Sequence, residues 1–213
     1  VYQLAKDYGA VILEDNPYGD LRFQGEDIPT IKSMDTEDIV VYIGSFSKIL
    51  SSGMRVGYCI APAELMSKIV VAKQCTDVHT SMLGQLVCYD FLRKYDIDQH
   101  IKTLQKVYKD KCLHMLAELD RTLPKEVGFT KPEGGLFVWL TLPEYIDSDT
   151  FAKKLVQEQK ICVVPGSAFQ IKAGEPSSCI RMNFSMPSKE NITTGVERTA
   201  KLLQTYIDEH TKQ

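Results

Sequence analysis

An α/β fold is what this sequence predicts, and three observations carry the prediction. Ala10-Val11-Ile12-Leu13 is a short continuous apolar run, the pattern of a strand buried on both faces in a parallel sheet. Ile39-Val40-Val41-Tyr42-Ile43 repeats that pattern and ends at Gly44. Between and after the strand-like runs lie stretches with apolar residues at spacings of three and four, the longest over residues 97–123.

In chain order, residues 1–8 are amphipathic and stop at Gly9, which predicts a helix and its end. The first strand, residues 10–13, places Asp15 just past its C-terminal end, where open α/β sheets bind ligands. A polar connection over 25–38 carries Pro29 and leads to the second strand, 39–44. After a loop, Val56-Gly57-Tyr58-Cys59-Ile60 resumes as a third strand. Pro62, with Glu64 in the first turn, starts a helix to about residue 74. Residues 76–81 interrupt the helical pattern and 82–94 restore it; His79, beside Thr80, reads as a cap or a buried hydrogen-bonded residue. The long helix ends before Pro124, and Gly134-Gly135 is a turn feeding a strand through Leu140. A helix over 150–159, a short strand over 161–164, a turn-rich loop over 165–169, a strand over 179–184 and a closing helix over 189–210 describe a small α/β domain.

The loop between the second and third strands holds the residues with the clearest chemistry. Lys48 follows Ser45 and Ser47, and Ser52 and Arg55 come soon after. An amine held near apolar surface and a fixed cation gains access to the neutral form that attacks a carbonyl. Hydroxyl groups and a forked guanidinium suit a phosphate dianion. A lysine nucleophile beside a phosphate cradle points to pyridoxal phosphate; a surface lysine in a polar loop with an unrelated arginine is the alternative that composition leaves open.

Ser45-Phe46-Ser47-Lys48 followed by Gly53-Met54-Arg55-Val56-Gly57 resembles the cofactor-lysine motif of the class I/II aminotransferases, the fold-type I pyridoxal phosphate enzymes. Glu14-Asp15-Asn16-Pro17-Tyr18-Gly19-Asp20-Leu21-Arg22-Phe23 is similar to the segment these enzymes place beneath the cofactor ring, and Arg181-Met182-Asn183-Phe184-Ser185 resembles their carboxylate-binding element. The resemblance implies that Lys48 carries the cofactor as a Schiff base and moves the substrate's proton. It implies that Asp15 pairs with the pyridine nitrogen, that Tyr18 partners the phenolic oxygen, and that Ser45, Ser47 and Arg55 serve the phosphate. Arg181 would bind the substrate carboxylate, the substrates being an L-amino acid and a 2-oxo acid. The wording is nearest the branch acting on 2-aminoadipate and aromatic amino acids. Thr80 and Ser81 fall where the family approaches the phosphate of a neighbouring subunit, which implies a homodimer.

Family members are close to twice as long as these 213 residues, so the chain is expected to be a C-terminal half. Residues 1–95 would be the end of the large cofactor-binding domain, a remnant of its mainly parallel sheet, and 96–213 the linking helix and small domain. The glycine/serine-rich turn that completes the family's phosphate site, the aromatic residue that stacks on the ring and the asparagine beside the phenolic oxygen are missing, which predicts weak or absent activity for the chain alone. A pyridoxal phosphate lyase of the same fold, or the non-catalytic effector-sensing half of an aminotransferase-like transcription regulator, are the alternative readings.

Composition narrows the function classes. A net charge of −3 without long Lys/Arg runs argues against nucleic acid, and no run reaches the roughly twenty apolar residues of a membrane span. Six scattered cysteines without CxxC or Cys/His ligand spacing read as reduced core residues of a cytoplasmic protein rather than disulfides or a metal site.

Overall fold

The computed structural model describes residues 1–211; Lys212 and Gln213, the end of the expected C-terminal domain, lie outside the described residues. The chain forms two compact units, residues 1–105 and residues 106 onward.

The first unit is built on a three-stranded sheet. Helix α1 (Tyr2–Asp7) precedes β1 (Ile12–Asp15), and a loop with two short 3-10 turns leads to β2 (Val40–Ser45). After the lysine loop come β3 (Gly57–Ile60), α2 (Ala63–Thr76) and α3 (Met82–Lys94). β2 is the central strand, parallel to β1 and antiparallel to β3. Gly57 allows the β2–β3 approach, because a Cβ there would stand 2.9 Å from the Gly44 carbonyl oxygen. The segment before β2 is anchored by Asp35, whose carboxylate accepts from the backbone N–H groups of Ile39 (3.1 Å) and Val40 (3.0 Å), from the Tyr2 hydroxyl (3.1 Å) and from Lys32 Nζ (2.8 Å).

One expectation is corrected here. The run at residues 10–13 is not buried on both faces: Ile12 is covered, but Leu13 is 66% exposed. β1 is an edge strand, and on the face of Leu13 its β2 partner Val41 is buried while Leu13 itself is not. α2 buries no residue, and α3 buries only Gly84 and Cys88 while Leu83 and Leu86 stay exposed. Of the six cysteines, all free, Cys88 and Cys112 are core residues; Cys75 and Cys162 are exposed, against the expectation of six core positions.

The second unit has its own core. Helix α4 (Ile97–Thr122), within which the boundary between the units falls, supplies Cys112, Met115 and Leu119 to it. β4 (Gly128–Phe129), β5 (Phe137–Thr141), β6 (Val164–Pro165) and β7 (Cys179–Asn183) form a sheet in the order β4-β5-β7-β6 with every pairing antiparallel. Strand alternation sends Val138, Leu140, Ile180 and Met182 to the buried face. They pack with Phe151 of α5 (Ser148–Lys154) and with Val196, Leu203 and Ile207 of α6 (Lys189–Thr211). The Asp147 carboxylate caps α5 by accepting from the Thr150 N–H at 2.8 Å. The helix expected over 150–159 turns into a π-helical stretch at Leu155–Gln159 and ends on left-handed Lys160. The chain therefore re-enters the sheet only at Val164, three residues later than the apolar pattern suggested.

Candidate functional site

In the first unit, β1 and β2 run in parallel and end side by side. Asp15 pairs with Ile43, and the Asn16 N–H donates to the Ile43 carbonyl at 3.0 Å. Asp15 and Ser45 thus project from the same end of the sheet, and on the same face, since residues two apart on a strand share a face. The loop that follows β2 is a tight turn. The Leu50 and Ser51 N–H groups donate to the Phe46 carbonyl at 2.8 and 3.0 Å, and the Phe46 N–H donates to the Val56 carbonyl at 3.1 Å. These bonds fold residues 46–56 back on themselves and hold Lys48 at the sheet's end.

Lys48 is half-buried, and its Nζ lies 5.7 Å from the centre of the Tyr18 ring. Ser45 Oγ accepts from the Ser47 N–H at 3.1 Å, so its hydroxyl proton stays available for an acceptor. Arg55 donates to the Ser52 carbonyl at 3.0 Å and to Ser47 Oγ at 3.4 Å. Arg55 adopts left-handed geometry, φ 56°, which is costly for a residue with a Cβ and marks a backbone held by its surroundings. Asp15, Tyr18, Ser45, Ser47, Lys48 and Arg55 are therefore gathered in one unit at one sheet end. Two hydroxyls and a guanidinium beside a half-buried amine fit a phosphate-bearing aldehyde.

Arg181 belongs to the second unit, on β7. Its guanidinium is sandwiched between two rings, 3.9 Å from the centre of Phe137 and 4.7 Å from that of Phe169. Trp139, opposite Arg181 in the β5–β7 register, meets Phe169 edge-on at 5.3 Å. The Arg181 Nε is buried and has no hydrogen-bond partner among the described residues. A buried cationic donor without an acceptor suits an incoming carboxylate. Sequence reasoning gave Phe137 and Phe169 no role; the signal was the alternation that sets Phe137 and Trp139 on the strand face of Arg181.

Residues 76–81 differ from expectation. His79 is exposed rather than buried, and its Nδ1 lies 2.9 Å from the Thr80 carbonyl oxygen. The neighbouring Val78 is β-branched yet has φ 64°. Asn16, Tyr42 and Tyr58, given no function from sequence, form a group close to the lysine loop, joined by the Asn16–Tyr42 hydrogen bond and by ring contacts of Tyr58 with Tyr42 and Phe46.

The class I and II aminotransferase family model matches residues 1–198. The chain belongs to this family. Among curated aminotransferases, aromatic-amino-acid aminotransferase 1 of Thermococcus litoralis is 38% identical over 202 residues, which cover 95% of this chain and 48% of that protein. The 2-aminoadipate transaminase of Thermus thermophilus is 34% identical over 205 residues, 95% of this chain and 51% of that protein. The solved kynurenine aminotransferase of Pyrococcus horikoshii, in complex with PMP, superposes with a TM-score of 0.91 at 35% identity, over 96% of this chain and 50% of that one. The α/β architecture is thus the fold of these aminotransferases, and the chain spans about half the length of the curated relatives it matches. No helix among the described residues is long and apolar enough to cross a membrane.

Proposed function

We propose that this chain supplies the C-terminal half of a pyridoxal phosphate-dependent aminotransferase that moves an amino group between an L-amino acid and a 2-oxo acid. The observation that carries the reading is the gathering of Lys48, Asp15, Ser45, Ser47 and Arg55 at one end of one small sheet, on an aminotransferase scaffold. When bound, pyridoxal phosphate supplies an electron sink for the substrate's α-carbon.

The residues divide the remaining tasks. Lys48 Nζ would hold the cofactor at its aldehyde, and its amine is the group that would carry the proton of the substrate's α-carbon. The Asp15 carboxylate would keep the pyridine nitrogen protonated, and the Tyr18 hydroxyl would hold the phenolic oxygen. Ser45, Ser47 and Arg55 donate to the phosphate. Arg181 clamps the substrate carboxylate with two parallel N–H donors, a geometry that a lysine ammonium does not reproduce. The 2-aminoadipate and aromatic amino acids are the substrate class we favour, on the strength of the two relatives named above. A homodimer in the cytoplasm is the assembly and location we favour, the exposed segment around Thr80 and Ser81 being available to a second copy.

Two measurements test this. Turnover of an L-amino acid should require both pyridoxal phosphate and an added 2-oxo acid; product formation without the 2-oxo acid would favour a lyase instead. In the active assembly, Arg181→Lys should raise KM for the amino acid about 100-fold, as expected when a two-pronged charged contact worth about 3 kcal/mol is lost. An unchanged KM would remove Arg181 from the substrate site.

A further inference from the structure

Asn16, Tyr42 and Tyr58 come from three different strands or their ends and meet on one face of the first sheet. Asn16 Nδ2 donates to the Tyr42 hydroxyl oxygen at 3.2 Å. The Tyr58 ring lies against that of Tyr42 at 6.2 Å between centres, and burial followed by that neighbour pushes the Tyr58 hydroxyl up to about 12. The Tyr58 ring covers Gly44, where a Cβ would stand 2.2 Å from its Cζ, and it packs against Phe46 at 5.6 Å between ring centres. Gly19 completes the fit, since a Cβ there would come within 2.5 Å of the Asn16 side chain. Two glycines thus leave space that the other residues of the group fill.

The group's location gives it a consequence for the neighbouring residues. Period-two alternation puts Tyr42, Gly44 and Tyr58 on one face of the sheet and Asp15 and Ser45 on the other. Asn16 is the residue that follows Asp15 and leads into the turn bearing Tyr18. Holding the Asn16 side chain on the far face continues the strand alternation that sets Asp15 on the face of Ser45. Phe46, two residues before Lys48, is pinned by the same Tyr58 ring.

We infer that Asn16, Tyr42 and Tyr58 form a positioning clamp that aims Asp15 and Tyr18 toward the lysine loop from the opposite face of the sheet. That these aimed residues serve a cofactor rests on the function proposed above; the clamp itself does not. Tyr42 is the pivot, because its oxygen accepts from Asn16 and its ring lies against Tyr58. Tyr42→Phe keeps the ring and its packing and removes only that oxygen.

Hydrogen–deuterium exchange of the chain without cofactor, followed by mass spectrometry, tests the clamp. The peptide over residues 16–22 contains the hydrogen-bonded N–H groups of Asn16, Leu21 and Arg22. Tyr42→Phe and Asn16→Ala should speed exchange there about fivefold, the change that loss of one ordinary hydrogen bond produces, and leave α6 unaffected. Asn16→Asp should restore protection, because the Tyr42 hydroxyl proton can donate to a carboxylate in the same place. Unchanged exchange in Tyr42→Phe, a turn already unprotected in the parent chain, or equal acceleration in Asn16→Asp and Asn16→Ala would each overturn the clamp. A pyridoxal phosphate titration of the same variants separates the two claims. Weaker binding in Tyr42→Phe with rescue in Asn16→Asp is expected; faster exchange with equal cofactor affinity in all variants would keep the clamp and overturn its role toward the cofactor.

Discussion

Phe151→Ala is expected to lower the stability of the second unit by about 3–5 kcal/mol, the range for deleting a fully buried ring. Phe151 has no exposed surface, sits at the centre of α5 and meets the Tyr206 ring of α6 at 5.6 Å. It therefore ties α5 to α6 over a sheet whose inner residues, Val138, Leu140 and Ile180, are themselves fully buried. The surrounding residues are themselves fully buried, so the cavity penalty adds to the lost transfer energy. Trp139, the single tryptophan of the sequence, lies in this unit and makes its unfolding separately visible by fluorescence. The urea midpoint of that signal should fall by about 2 M, given the usual denaturant dependence for a small domain. A shift of less than about 0.5 M would mean that α5 is not a keystone of the core.

Asp35→Ala is the substitution expected to damage the first unit most. The Asp35 side chain is fully covered, and it accepts from two backbone N–H groups, a tyrosine hydroxyl and the Lys32 ammonium. Removing the carboxylate orphans all four donors at the entry to β2, which should cost about 3 kcal/mol. The effect depends on pH in a defined direction. Burial alone would raise the Asp35 carboxyl, but the Lys32 ammonium and the Ile39 and Val40 N–H groups outweigh it and hold it well below the usual carboxylate range. The folded state thus binds the proton more weakly than the unfolded chain, whose aspartate titrates at about 3.9. The stabilisation is present in full above about pH 5 and fades as pH falls below 4 toward the folded value. Urea unfolding followed by circular dichroism should show the full difference between parent and variant at pH 7 and a smaller one at pH 3. A difference independent of pH would mean that the carboxylate's charge is not what anchors the segment.

The helices were the most legible part of the fold. α3 follows the expected 82–94 span and α4 differs by one residue, because each carries an apolar stripe that has a helical period wherever it packs. Strand burial was less legible. The run at residues 10–13 is apolar enough for a two-sided strand, and nothing in its pattern marks Leu13 as exposed. The late start of β6 follows from the π-helical stretch and left-handed Lys160, neither of which leaves a mark in hydrophobic periodicity. At the site, Lys48 and its serines were legible because strand, loop and strand are consecutive in sequence. The Asn16–Tyr42–Tyr58 group and the aromatic sandwich around Arg181 were not, since each depends on strand register and the sequence supplies candidates for pairing without their alignment.

The account's central claim is that the lysine loop forms a cofactor site around Lys48. The most direct measurement is to incubate the chain with pyridoxal phosphate, reduce with borohydride, which locks lysine-bound pyridoxal into a stable adduct, and map the label by mass spectrometry. The account predicts label concentrated on Lys48 and lost in Lys48→Ala, with the other lysines labelled only at background. Label spread over surface lysines and unchanged in Lys48→Ala would contradict it.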